Sequence, residues 1–386
     1  MWKDGRGKIL VAIACGWFLS IGVMSIYPVI LPALRVSFDL DLTTAGLLVT
    51  VLWFVYGLGQ LPAGLLADRF GEGTVMSLST FFAGAAVVLV VLSTSRIMLY
   101  VATMILGLGT SLYGIARFTA MEHVFPERIG AANGIVDAAA DVGNALLPVL
   151  AGIITGAVAW QYGLGFTVPL FLLTTVALWS IVPSRTGVES SAAALSLSNS
   201  RRLLTLMRRP ALLYGTTVFL VSTSIWMTFM TFYPTYLIEQ KGLSPSMASA
   251  LFGLFFGLGI ILKPITGVLY DRFGMRLTFI LIILSAALGL IGLSVSEGFW
   301  LLLIITVLIS SLNGYNPPLV SYLTTALPDE FVGTGLGLIR TITLTVSAVA
   351  PFLFGAIADQ GLFDEVFLLL AGLMLLIMVP LSKTPE

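Results

Sequence analysis

Apolar residues fill the chain from Ile9 to Leu381, and short polar stretches interrupt them at intervals that suit a bilayer crossing. A helix rises about 1.5 Å per residue, so roughly 20 apolar residues span the hydrocarbon. Twelve runs meet that length, at 9–34, 44–67, 74–94, 97–121, 130–157, 161–182, 210–238, 246–270, 276–295, 299–326, 332–358 and 363–381. Several contain Gly or Pro, which spanning helices tolerate when neighbours satisfy the freed backbone groups. The pattern predicts an all-α membrane protein with twelve transmembrane helices. Its opening, "MWKDGRGK", has the basic character of a signal-peptide start, but the apolar stretch that follows continues to about Leu34. That is too long for a cleaved leader, so it reads as the first span.

Composition agrees with the pattern. Of 386 residues 58% are hydrophobic and 10% charged, against about 25% charged in an ordinary soluble domain. Net charge is zero, which removes electrostatic support for a nucleic-acid partner. The single cysteine, Cys15, cannot form an internal disulfide, and one His beside one Cys leaves little material for a nucleophile–base pair or a metal site. Phosphate loops and dinucleotide fingerprints are missing. No enzyme activity, cofactor or metal is expected.

Charge distribution adds an orientation. With both termini inside, the cytoplasmic segments hold thirteen Lys or Arg residues and the outer ones three, Arg35, Arg96 and Lys241. That asymmetry predicts a multi-pass cell-membrane protein with cytoplasmic termini. The longest inner loop, "SRTGVESSAAALSLSNSRRLLTLMRRP", reads as a flexible linker with a short basic, leucine-flanked helix at its end.

A repeat organises the twelve spans. "GLLADRFG", Gly64 to Gly71, returns as "GVLYDRFG", Gly267 to Gly274, at an offset of 203. The same offset carries Gly130, Gly134, Pro148 and Gly152 onto Gly333, Gly337, Pro351 and Gly355, and Tyr27-Pro28 recurs at Tyr233-Pro234 with an offset of 206. Two parallel six-helix halves explain this. The expected organisation is an N-terminal bundle over 1–183, a cytoplasmic linker over 184–209 and a C-terminal bundle over 210–386.

"GLLADRFG" resembles the loop motif of the major facilitator superfamily, Gly-x-Leu-Ala-Asp-Arg-x-Gly, and the span count and central loop extend the resemblance over the whole chain. The resemblance implies two pseudo-symmetric bundles that rock about a midplane site and expose it to each side in turn. It also implies that Asp68, Arg69, Asp271 and Arg272 latch the inner gate, with Asp68 meeting the start of the eleventh helix. A carboxylate there would cap a positive helix N-terminus, and the neighbouring Arg would bond carbonyls or a carboxylate. The alternative is a plain tight turn at Gly71 and Gly274. Where the family usually has basic residues after the motif, this chain has Glu72 and Gly73.

Five charges are candidates for positions deep within spans, away from the span ends: Arg117, Asp137, Asp141, Lys263 and Arg340. A charge near the bilayer centre costs on the order of 3 kcal/mol, so such residues face the interior and act. Counting from the helix ends puts Gln60, Asp137, Lys263 and Arg340 in one layer about 12 Å into the core, on the helices that flank the cavity in this family. Asn133, Asp137, Asp141, Asn144 and Pro148 form one stripe along the fifth span. Tyr113, Tyr315 and Asn316 fall near the midplane on helices that line the family's cavity. Asp137 and Asp141 are candidate proton carriers, and Lys263, Arg340, Tyr113, Asn316, Tyr315, Gln60 and Arg117 candidate substrate ligands. Plainer readings stand beside these: Asp137 as a structural partner of Arg340 or Lys263, Arg117 snorkelling or paired with Glu122, and His123 as a surface residue.

The five groups sum to one positive charge, which favours a small anion, and protonation of either aspartate raises the surplus to two, the logic of symport. Cationic groups on helices eight and eleven are similar to those of the oxalate/formate and monocarboxylate branches, and "FPERIGAANG" resembles the organic-anion branches' entry to helix five. The expected function is proton-coupled, alternating-access transport of a carboxylate-like substrate by a monomer in the lipid bilayer. A proton-coupled exporter of drugs or lipophilic cations is the alternative, though Thr103 replaces the helix-four Arg of proton antiporters and "GNALLPVLAG" lacks their helix-five Gly-Pro motif. A sugar or polyol carrier is third.

Overall fold

The computed structural model describes residues 5–183, 209–328 and 331–382, apart from the side chains of Leu61, Gly64, Asp68 and Ser382. Most of the expected linker, with its surface helix, lies outside the described residues, as does the Asp68 carboxylate. The first seven spans are α1 (Arg6–Phe38), α2 (Leu42–Phe70), α3 (Glu72–Val91), α4 (Arg96–Val124), α5 (Ile129–Ala157), α6 (Trp160–Ile181) and α7 (Pro210–Glu239). Next comes a helical run of 51 residues, Pro245–Val295, whose length of about 76 Å is more than twice a bilayer core. Gly274 breaks it with φ 75° and ψ 178°, a conformation open to glycine, and separates α8 (245–273) from α9 (275–295). The repeated motif therefore ends α8 as its first copy ends α2. The remaining spans are α10 (Phe299–Ala326), α11 (Val332–Ala358) and α12 (Phe363–Leu381). Among the described residues eleven helices are long and apolar enough to cross a membrane, and the division at Gly274 makes twelve crossings.

Two of these spans are interrupted for local reasons. In α10 a 3-10 turn at Ser310–Gly314 precedes Pro317 and Pro318, which cannot donate to the preceding turn. In α11 the regular helix stops at Ser347 and resumes at Ala350, where Pro351 withholds the N–H that Ser347 would have received.

The surface is apolar. Trp179, Val295 and Trp300 are each more than three-fifths exposed, as suits contact with lipid rather than water. Inside, each half forms a bundle, and the duplication extends to single bonds. Tyr27 on α1 shares a hydrogen bond of 3.1 Å with Thr103 on α4, and Tyr233 on α7 one of 2.5 Å with Thr306 on α10, the repeat partner of Thr103. Both tyrosines are fully buried. Thr103, which stands where antiporters carry an arginine, is occupied in this structural pair.

We call the side where α1 begins and α12 ends proximal and the other distal. On the distal side the bundles meet backbone to backbone. A Cβ added at Gly46 of α2 would lie 2.4 Å from the Pro351 carbonyl oxygen of α11, and one at Gly355 2.4 Å from that of Leu42. Gly152 of α5 packs as closely on Ser249 of α8. Arg35 grips both carboxylate oxygens of Glu239, tying the ends of α1 and α7. The proximal side is open: no heavy atom lies within 4 Å of a Cβ built at Gly130, Gly134, Gly267, Gly333 or Gly337.

Gly46→Ala should therefore lower the midpoint of thermal unfolding, by a cost of about 1–3 kcal/mol, because a carbonyl cannot rotate away from the new methyl. Gly134→Ala, in open space on a helix, should leave the midpoint unchanged or raise it slightly. Melting curves of the two purified variants test the contrast.

Candidate functional site

Exposed Asp137 on α5 and Arg340 on α11, half-exposed Lys263 on α8 and the open glycine faces outline a proximally open chamber along the seam helices α2, α5, α8 and α11, which ends where the bundles touch. Three contacts mark its roof. Gly57 of α2 lies against Thr345 of α11, Lys263 Nζ of α8 lies 2.5 Å from Asp141 Oδ1 of α5, and Trp53 of α2 meets Trp226 of α7 edge to face with centroids 6.4 Å apart. Tyr56 packs on Trp53 and Phe256 on Trp226. Trp53 and Phe256 are repeat partners, and each half contributes two rings to the same aromatic roof.

Two cations are matched below it. Arg117 is buried, its side chain 5% exposed, with its guanidinium 4.2 Å from the Trp17 ring centroid and 3.9 Å from that of Phe118. Its Nη2 lies 2.9 Å from Asp137 Oδ1, whose side chain is 55% exposed. Arg117 thus neither snorkels nor pairs with Glu122: two aromatic faces and a carboxylate within its own bundle hold it more effectively. Asp137, expected opposite Arg340 or Lys263, is taken by Arg117, and Asp141 one turn further along α5 receives Lys263 instead. That second pair crosses the bundle interface about 18 Å along α5, and it is half-wetted, at 35% and 18% side-chain exposure.

Arg340 is the third cation. It is exposed on α11 and makes no ion pair or hydrogen bond among the described residues. Its charge reaches Tyr56, Arg117 and Tyr315, so it shares the chamber with the other groups. Gln60 is half-buried against α4 beside Gly114. Tyr113 is withdrawn from the chamber: fully buried, it stacks on Trp17 at 6.0 Å and donates to the Ile13 carbonyl at 2.8 Å. Tyr315 is buried and hydrogen-bonded to Thr223 at 3.1 Å, and half-buried Asn316 opens the second part of α10. In the aspartate stripe Asn144 is committed within its bundle, accepting from Ser25 Oγ at 2.6 Å.

At the proximal rim, Arg69 is exposed beside the Phe70 ring, and Asp271 and Arg272 are exposed at the end of α8. Among the described residues no ion pair links these three to the opposite bundle, as befits an open proximal side. Glu72, the departure from the usual motif, is buried at the start of α3 with Oε1 2.7 Å from His123 Nδ1. His123 is thus a partner of the motif loop rather than a free surface residue. Of the roof rings, Trp226 on the seventh span is among the sequence candidates for the cavity lining, whereas Trp53, Tyr56 and Phe256 were not singled out. The signal that could have found them is the spacing of Trp53, Tyr56 and Gln60 on one face of α2, together with the Trp53–Phe256 repeat.

Residues 13–296 and 217–386 match the Major Facilitator Superfamily. The chain belongs to that superfamily. Among curated relatives of this facilitator, a probable sulfoacetate transporter of Cupriavidus necator is 26% identical, covering 89% of this chain and 85% of the relative. A hexuronate transporter of Bacillus subtilis is 23% identical, covering 89% and 86%. A nucleoside transporter of known crystal structure superposes with a TM-score of 0.83 at 11% identity, covering 98% of this chain and all of that one, which shows a shared fold. This facilitator is a multi-pass membrane transporter for small molecules and not an enzyme.

Arg117→Ala should reduce thermal stability by about 2 kcal/mol, because it removes two ring contacts and the partner of Asp137. Arg117→Lys should recover less than half of the loss, since an ammonium cannot lie flat between two rings. Thermal denaturation of both variants in one detergent checks this.

Proposed function

We propose that this transporter carries a small carboxylate-like anion together with a proton. The observation that carries the reading is the unmatched charge of Arg340. Arg117 with Asp137 and Lys263 with Asp141 form two neutral pairs, so the chamber's surplus of one positive charge rests on an exposed guanidinium about 12 Å along α11. A planar guanidinium offers two parallel donors to a carboxylate. The relatives named for sulfoacetate and hexuronate support the same class, since both of those compounds carry a carboxylate.

Coupling follows from competition. An anion seated on Arg340 that also engages Lys263 can do so only by displacing Asp141. A carboxylate released into a partly dry chamber is better neutral than charged, so the anion brings a proton with it. With Asp141 neutral, the ion pair joining α5 to α8 is gone, and the bundles are freer to rock. Asp137, held by Arg117 inside one bundle, has the more static role. The thirteen-to-three distribution of Lys and Arg supports a proximal side in the cytoplasm, with bundles over 1–183 and 210–386 joined by a linker over 184–209. By the resemblance, Asp68, Arg69, Asp271 and Arg272 would close the proximal gate in the opposite state. The chain needs no second copy to complete the chamber, so we read it as a monomer.

The exporter of lipophilic cations keeps one supporting observation, the half-exposed Asp137 carboxylate beneath an aromatic roof. A thermal-shift screen of carboxylates, cationic drugs and sugars separates the readings: stabilisation by carboxylates alone supports ours, and stabilisation by cations alone overturns it. Arg340→Ala should weaken carboxylate binding about 10–100-fold, the value of one charged hydrogen-bonding group, with the melting midpoint of the empty protein unchanged. Lys263→Ala should also abolish uptake. Carboxylate affinity should rise as pH falls, because bound anion and bound proton favour each other. Asp141→Asn should flatten that dependence and uncouple accumulation from the proton gradient while exchange persists. Proteoliposome uptake at several pH values reads both effects, and an unchanged pH dependence would make Asp141 merely structural.

A further inference from the structure

The start of α2 on the distal side is capped from two directions. A helix leaves its first N–H groups without internal partners. In α2 the Thr44 N–H is taken at 2.7 Å by the carboxylate of Asp41, which immediately precedes the helix. The Leu42 and Thr43 N–H groups donate instead to Asp359, each at 2.7 Å, and the Thr43 hydroxyl donates to the same carboxylate. Asp359 stands at the end of α11, in the opposite bundle. One half of the transporter thus completes a helix terminus of the other.

We propose that Asp359 is a gating residue for transport: its carboxylate holds the distal side shut by capping α2 and must let go each time the bundles rock. Three observations carry this. First, the contact spans the interface that alternating access has to open, beside the tight Gly46–Pro351 and Gly355–Leu42 approaches. Second, Asp359 and Thr43 are reached by water, so released N–H groups can be hydrated and the latch is reversible. Third, the arrangement is confined to one seam. The repeat partner of Asp359 is Gly156, which lies against Pro245 at the start of α8. Proline has no N–H to offer, and α8 is capped by its own Ser244 through the Met247 N–H. The α5–α8 seam therefore packs without a carboxylate latch, whereas the α2–α11 seam has one.

By the resemblance in the loop motif, the seam would also be reciprocal. Asp68 ends α2 on the proximal side, where the loop motif assigns it to the start of α11, and Asp359 ends α11 on the distal side, where it caps the start of α2. Each helix would offer a carboxylate from its C-terminal end to the N-terminus of the other, and rigid-body rocking lets only one of the two contacts exist at a time.

The test replaces Cys15 with Ser, places cysteines at Val36 and Leu362, exposed distal positions in opposite bundles, and measures the distance between attached spin labels by pulsed electron resonance in lipid nanodiscs. Asp359→Asn should enlarge the long-distance, distally open population several-fold. Asp41→Asn, which removes the cap belonging to α2's own bundle, should leave the distribution as in the parent. Thr43→Pro removes a donor at a first-turn position that tolerates proline and should reproduce Asp359→Asn, with no further change when the two are combined. It decides the matter by itself if Asp359→Asn fails to fold. An unchanged distribution in Asp359→Asn, or in Thr43→Pro where that variant decides, overturns the proposal, as does an equal shift in Asp41→Asn.

Discussion

A charge inside a bilayer has to be matched by another charge or kept in contact with water, and the interior of this transporter follows from how each of five charged residues deep in its spans meets that demand. Arg117 meets it with two rings and Asp137, all within one bundle. Lys263 and Asp141 meet it across the interface, which makes the pair sensitive to the relative position of the halves. Arg340 meets it through exposure alone. The order from internal pair, to bridging pair, to open guanidinium is also an order of availability to a ligand.

The duplication explains both the regularity of the frame and the irregularity of the centre. Structural positions stay alike: Tyr27–Thr103 and Tyr233–Thr306 are the same bond made twice. Positions at the interface have diverged. Gln60 is neutral where its repeat counterpart Lys263 is charged, Asp137 and Arg340 have opposite signs, and Gly156 stands where the other half has Asp359. Symmetric packing supports two equivalent rocking bodies, while asymmetric charge gives the cavity between them a sign and confines the distal helix-capping carboxylate to the α2–α11 seam.

Much of this was legible in the sequence because hydrocarbon thickness fixes helix length and duplication leaves a constant offset. The spans and the break at Gly274 depend on nothing else. Which side chain answers which did not follow, because it depends on helix rotation and crossing geometry. Asp137 and Asp141 lie on one stripe, and a rotation of a few tens of degrees decides which of them reaches α8. Tyr113 has the right depth for the cavity but is turned toward α1, where Trp17 and the Ile13 carbonyl receive it. Asp359 gave no sign of its role because it lies outside the apolar spans, where an acidic residue is unremarked until its partners are known.

The distal seam has a kinetic consequence. Where Gly46 meets the Pro351 carbonyl and Gly355 that of Leu42, the touching surfaces are peptide groups. Peptide groups in a formed helix have no rotamers left to freeze, so joining them costs little of the conformational entropy that interlocking long side chains would require. A seam of this kind can part and rejoin without a search for side-chain register, which suits a machine whose working stroke is the repeated separation of that surface.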